Sequence, residues 1–332
     1  MAAGLGVSAG ALLLLGQLVD IEATLELLRR TDPLPLMLVL LVVAAQLALR
    51  SIRWSYLLPV ETGVRVPAAR LLPVLLVGYL SNIVLPARLG EVVRAYLVSR
   101  REPVAFSVSL GVVFLERVMD TASLAVVGFA AASLAGAATW MITGTALVAV
   151  VGSAVVAFLV VVGIGRVVDW GERMLGSASP FVARVGAVVG RFGQGAGEQP
   201  RSVIVLAYAI SVTCWLLEGT TFWLVGRAIG ADLGWMTCVL MAAITILGTA
   251  IPSAPGFVGT YELAAVAAGT AVGVPADVSL AVALLAHAAT VLPIVIGGVA
   301  SLITMSIPFG RMVDEAEAQR QQVSQQRPHD AP

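Results

Sequence analysis

The sequence has no lysine. All twenty basic residues among its 332 are arginine, and twenty Asp and Glu bring the formal net charge to zero. Charged residues of both signs make up only 12% of the chain and aromatics 6%. No excess of positive charge is present of the kind that draws a protein to phosphate backbones, so no nucleic-acid partner is expected. The two cysteines, Cys214 and Cys238, stand in separate apolar stretches without C-x-x-C spacing, which argues against a disulfide or metal framework. No cluster of His, Cys and Asp has metal-ligand spacing, and no Ser or Cys nucleophile has an identifiable base, so neither a metal, a cofactor nor an enzyme is expected. A phosphate-binding glycine loop is also missing, and the longest polar stretches are 166–201 and the tail from Arg311. ATP-driven chemistry on this chain is not expected. The first arginine is Arg29, so no basic region precedes the first apolar run, which reads as a membrane span rather than a cleaved signal.

What is present is apolar: 59% of the residues are hydrophobic, in runs of spanning length along the whole chain. The fold class expected is therefore an all-α polytopic membrane protein. Runs near 6–19, 33–49, 105–134, 140–164, 203–225 and 278–305 give six full spans. Arg50, Arg53 and Trp54, followed by Tyr56, Arg65 and Arg70, read as an interfacial anchor on the cytoplasmic side, with Arg53 and Trp54 as a gate for headgroups. Two further runs are broken. Leu71 to Leu85 ends at Asn82 and Pro86, and the run from Trp235 to Thr270 is interrupted by Pro252, Pro255, Gly256 and Gly259. Read as full crossings, they would place arginine clusters on the wrong side. Read as re-entrant hairpins, they keep the basic loops and both termini cytoplasmic. The segment 166–201 has near-helical apolar spacing and reads as a cytoplasmic amphipathic segment, and 309–332 as a disordered cytoplasmic tail. The domain is thus 1–308, with pseudo-halves 1–135 and 139–305 forming an inverted repeat, in which paired broken segments point to a midplane site.

The charges that a plain span would lack mark the candidate site. Asn82, Pro86, Arg88, Gly90, Glu91 and Arg94 form the first hairpin. An arginine beside the free amides of a helix start suits a phosphate, with Glu91 offsetting it when the site is empty. Glu116, Arg117 and Asp120 sit inside an apolar run, where each unpaired charge costs roughly 2.5–3.5 kcal/mol, so they need partners. Glu116 and Asp120, four apart, share a helix face, and Arg88 and Arg94 are their expected counter-charges. In the second hairpin Pro255, Gly256 and Gly259 allow close backbone approach and Glu262 follows them. His287 and Glu218 are isolated polar groups in later spans, and His287 is a candidate for proton coupling.

Taken together, Leu85-Pro86-Ala87-Arg88-Leu89-Gly90-Glu91-Val92-Val93-Arg94, Glu116-Arg117-Val118-Met119-Asp120 and Ile251-Pro252-Ser253-Ala254-Pro255-Gly256-Phe257-Val258-Gly259-Thr260-Tyr261-Glu262 resemble the three signatures of the lysylphosphatidylglycerol synthase transmembrane-region family. Arg53-Trp54 before Leu57-Leu58 is similar to a weaker fourth. The second hairpin departs in carrying Ser253, Ala254 and Phe257 where smaller residues are common. The resemblance implies movement between leaflets of a phospholipid or polyprenyl-linked lipid in a bacterial plasma membrane. No aminoacyltransferase domain follows Met305, so this chain is not expected to make the lipid. Its expected partners are the membrane lipid and a lipid-modifying synthase or glycosyltransferase. A non-transporting subunit of such a transferase is the alternative reading, and the oligomeric state stays open.

Overall fold

The computed structural model describes residues 2–59, 65–85, 89–161, 199–251 and 253–305, and every regular element among them is a helix. Pro86, Arg88, most of the predicted amphipathic segment 166–201 and the predicted tail 309–332 lie outside the described residues. Helix α1 spans Ala2–Leu18 and turns by 88° into α2, Ile21–Arg29. Asp20 directs this turn, its carboxylate accepting from the Ala23 amide at 3.0 Å. Asp32 caps α3 (Pro33–Leu57) in the same way, with Pro33 in the first turn where its missing N–H costs nothing.

Two short helices follow, α4 (Ala68–Val84) and α5 (Gly90–Arg101), and then the long α6 (Phe106–Leu134) and α7 (Thr139–Val161). The second part of the chain repeats the order with α8 (Arg201–Ala228), the short α9 (Trp235–Gly248), a single turn at Pro255–Phe257, α10 (Thr260–Ala271) and α11 (Ala276–Thr304). At 17 and 14 residues α4 and α9 fall short of the ~20 that a crossing needs. Each folds back on the helix after its break, α4 on α5 and α9 on α10, as the expected hairpins require.

Helix pairing gives the internal repeat its physical form. The long helices α3 and α8 pack on each other, α4 packs on α11, and α9 packs on α6. Exchanging α3–α6 with α8–α11 turns every one of these pairings into another that is present. Leu13, Leu41, Val150, Ile296 and Ile303 are exposed on the long outer helices, as lipid-facing side chains are.

Fewer helices qualify as spans than the six expected. Among the described residues four are long and apolar enough to cross a membrane (Pro33–Leu57, Thr139–Val156, Arg201–Ala228 and Ala276–Thr304), or five if α1 and α2 count as one bent span. The predicted first span qualifies only together with α2, because α1 ends in the bend after 17 residues. Helix α6, at 29 residues, has the length, but it carries Glu116, Arg117 and Asp120. The chain remains a multi-pass all-α membrane protein.

Candidate functional site

Helix α3 does not stop at Leu49, where the apolar run ends. No breaker occurs before Pro59, so the helix continues through Arg50, Arg53 and Trp54 and carries them into the interior. Arg53 is fully buried. Its guanidinium donates to Asp120 through both terminal nitrogens, to Glu116 at 3.3 Å and to the hydroxyl of Ser211 on α8. Trp54, also fully buried, lies under the Arg94 guanidinium, 4.5 Å from the ring centroid. The expected interfacial anchor and gate at Arg53 and Trp54 is therefore wrong. Two acids one turn apart on α6 compensate the arginine, and the residue beside it becomes core.

Arg94 is corrected in the same way. It was expected to hold phosphate, but it is 2% exposed, paired with Glu116 and stacked on Trp54, and it does not line the cavity. Glu91 does not pair with it either. Glu91 lies 3.5 Å from Arg117, which also reaches Asp120 at 3.1 Å. Arg50, one turn before Arg53, sits 3.9 Å from the same Asp120 carboxylate and over the Trp215 ring at 5.0 Å. Trp215 in turn donates to the Asp120 carbonyl at 3.0 Å. Arg50, Arg53, Arg94 and Arg117 thus share Glu91, Glu116 and Asp120, and a fourth acid, Glu218, lines the same cavity as Arg50. Burying such a set is tolerable only because each charge meets an opposite one with hydrogen-bond geometry.

Where this cluster reaches open space, a cavity of about 340 Å3 runs between the two halves. Arg50, Glu91, Arg117 and Asp120 line it from α3, α5 and α6, with Tyr79 and Asn82 from α4. From the second half come Trp215 and Glu218 of α8, Gly256 and Phe257 of the turn, Tyr261 of α10, and His287 and Thr290 of α11. The hairpin ends meet here: the turn at Pro255–Phe257 packs on α4, and Gly256 lies against Ile83.

Local chemistry holds each hairpin in shape. Asn82 accepts a hydrogen bond from the Gly90 amide at 2.9 Å, which caps the start of α5. A side chain at Gly90 would run into the Gly78 carbonyl oxygen, so α4 and α5 touch backbone to backbone. In the second hairpin the chain turns through left-handed backbone at Gly256, Phe257 and Gly259. Glu262 then folds back to accept from the Gly259 amide at 2.7 Å. Its other oxygen lies 2.6 Å from Nδ1 of His287, whose ring stacks on Tyr261 at 4.2 Å.

Of the site residues read from the sequence, the structure thus places Asn82, Glu91, Arg117, Asp120, Gly256 and His287 on the cavity wall. Gly90, Arg94, Glu116, Pro255, Gly259, Glu262, Arg53 and Trp54 are not among the lining residues. Gln46, Tyr79 and Trp215 are lining residues that the sequence reading missed. Gln46 was visible as the one amide in an otherwise apolar run, while Tyr79 and Trp215 look like any aromatic residue in a span. Some buried polar atoms at this wall have no hydrogen-bond partner among the described residues: the hydroxyls of Tyr79, Tyr261 and Thr290. Among the described residues no group of three or more His, Cys, Asp and Glu side chains could hold a metal ion.

The fold and this cavity define a polytopic helical membrane protein with a charged internal site closed by two broken hairpins. Residues 1–298 match the lysylphosphatidylglycerol synthase transmembrane region, and the chain belongs to that family. It is similar to the glycosyltransferase AglD of Haloferax volcanii, at 27% identity over 350 residues. That match covers 95% of this chain and 56% of AglD, so the chain spans little more than half of that relative. It is also similar to the UPF0104 membrane protein MJ1078 of Methanocaldococcus jannaschii, at 25% identity over 183 residues, covering 55% of this chain and 76% of that protein. No solved structure matches the chain.

Proposed function

We propose that this protein moves a lipid with an anionic, phosphate-bearing headgroup between membrane leaflets. The headgroup passes through the cavity while the acyl chains stay in lipid, and the chain itself is not an enzyme. The observation that carries this reading is the pair of guanidiniums, Arg50 and Arg117, that reach the wall of a cavity within the membrane domain. The ion pair of Arg50 with the shared Asp120 carboxylate is long, 3.9 Å, so a phosphate oxygen can complete its pairing. The neutral donors Gln46, Tyr79 and Thr290 around it suit phosphate or hydroxyl oxygens. Two hairpins whose ends meet at the cavity are the parts that alternating access would rock past each other. In this reading the halves are inverted, both termini face the cytoplasm and the protein resides in a bacterial plasma membrane.

Reconstituted liposomes carrying fluorescent lipids test it, through protection of the label from an outer-leaflet quencher. Phosphatidylglycerol, aminoacylated phosphatidylglycerol and polyprenyl-phosphate lipids should be compared. Headgroup-selective translocation is expected in wild type, with a fall of at least about tenfold in Arg50→Ala and in Arg117→Ala, the loss of one charge-assisted hydrogen bond of roughly 1.5–3 kcal/mol. Equal rates in wild type and both variants would remove the cavity from the transport path.

A second reading rests on AglD, which bears the name of a glycosyltransferase and extends well beyond the matched region. Here the domain is a membrane subunit for lipid or glycan modification and presents the lipid to a transferase without moving it. Copurification of a transferase, with normal lipid exposure in Arg50→Ala cells, is the result that favours it.

A further inference from the structure

The two parts of the cavity lining differ in how their charge can change. In the α3–α6 part the cations are arginines, which stay protonated at any working pH. In the α8–α11 part of the lining, among the described residues, the only group that can become cationic is His287, and it stands among acids. Glu262 on α10 lies 2.6 Å from its Nδ1, Tyr261 stacks on its ring, and Glu218 on α8 shares the same cavity wall. Among the described residues no cation other than His287 stands within ion-pair distance of Glu218 or Glu262.

The remaining helices packed on α11 add Tyr79 from α4 and Arg50 from α3 at the cavity. Helix α2 turns its Leu27 and Leu28 inward and keeps Glu22, Glu26 and Arg29 in the open. Arg117, Asp120 and Glu91 reach the same cavity from α6 and α5. With His287 neutral, the second-half wall is therefore acidic and repels an anion that Arg50 and Arg117 attract. A proton on His287 cancels one of those negative charges next to the bound headgroup.

We propose that the Glu262–His287 pair is a proton-binding site coupled to the lipid site, so that an anionic headgroup and one proton occupy the cavity together. This deepens the reading of the cavity as a lipid-phosphate site and rests on it. His287 is suited to the task because it is partly exposed to the cavity, with a side chain 14% accessible. Glu262, 6% accessible, is kept in place by the Gly259 amide at the start of α10, so the charge of the pair is registered at the second hairpin. Coupling of this kind gives the protein access to a proton gradient as a driving force. It also sets its direction: a headgroup is taken up with a proton on the acidic side and both are released on the alkaline side.

The experiment measures binding of short-chain phosphatidylglycerol to the purified full chain at about pH 5.5 and about pH 8, either side of the ordinary histidine range. Cavity tryptophan fluorescence reports binding, and an indicator dye in weak buffer reports proton uptake. Wild type is expected to bind more tightly at the lower pH, by up to about tenfold per pH unit across the titration, and to take up close to one proton per lipid. In His287→Gln both the pH slope and the proton uptake should vanish. Glu262→Gln, which takes away the acid that favours the charged imidazole, should weaken both, and it serves if His287→Gln does not fold. Binding that is flat with pH in wild type, or a slope that survives in His287→Gln, overturns the coupling and leaves the lipid site standing. Absence of binding at either pH in wild type overturns the lipid site and the coupling with it.

Discussion

The two halves of this protein hold their hairpins with the same device made from different chemistry. In each, a side chain early in the second hairpin helix pairs with one about a third of the way along the next helix. In the first half the pair is Arg94 with Glu116, and in the second it is Glu262 with His287. The first is sealed: Arg94 is 2% exposed, stacked on Trp54, and tied through Glu116 to Arg53 and Asp120. The second opens on the cavity and, among the described residues, has no wider ionic network around it. A guanidinium in a shared buried network is a fixture, whereas an imidazole beside one carboxylate can change its charge near neutral pH. The first half is built to stay as it is, and the second contains the element that can respond.

Removing Arg53 should break this contrast most severely. Arg53→Ala leaves Glu116 and Asp120 buried without their shared partner, a loss of about 3–5 kcal/mol. Thermal unfolding in detergent should show a large fall in midpoint or no folded protein, while Glu262→Ala in the second half, which removes a cap and one imidazole contact, should cost only about 1–2 kcal/mol. Comparable losses would show that the two halves are equally rigid. The close helix contact comes next. Gly90→Ala pushes a methyl group into the Gly78 carbonyl and should cost roughly 1–3 kcal/mol by overpacking. Gly259→Ala, where φ is +88° and the Ser8 carbonyl lies 2.9 Å from the added carbon, should cost a similar or smaller amount in the same assay.

Exchanging the chemistry sharpens the comparison. Arg94→His should make the stability of the first half depend on pH. Protonated, the imidazole still pairs with Glu116, so the contribution is present at low pH. It is lost as pH rises through the histidine range, leaving a buried carboxylate with less compensation. The melting midpoint of this variant should be higher at about pH 5.5 than at about pH 8, by more than any difference that wild type shows. The smallest effect is expected at the cap: Asn82→Ala deprives the Gly90 amide of its acceptor and should cost about 1 kcal/mol.

Much of this could be seen in the sequence. The Pro and Gly residues around 82–90 and 251–259 mark both breaks. The spacing of Glu116 and Asp120 placed them on one face. Arg50, Arg53 and Trp54 were misread because arginine next to tryptophan after an apolar run is the pattern of a membrane interface. Whether such a residue sits at an interface or in the core depends on whether an acid on another helix meets it, and Glu116 lies 63 residues away from Arg53. For Arg94 the counter-charge on α6 was read correctly, but its neighbours in sequence gave no hint that Trp54 would close over it and keep it from the cavity.

Composition and hydrophobic run length, by themselves, determined that the chain is a helical membrane protein with two broken hairpins, because the bilayer allows few other ways to satisfy an apolar backbone. The sequence also supplied the set of charges from which the site is made. Only the tertiary structure decided which of those charges are spent on one another and which face open space. An arginine closed in by two acids and an arginine that shares one acid look identical in a linear chain. The difference between Arg53 and Arg50 is set by where α3, packed on α8, meets the acids of α6, and that arrangement leaves Arg50 on the cavity wall.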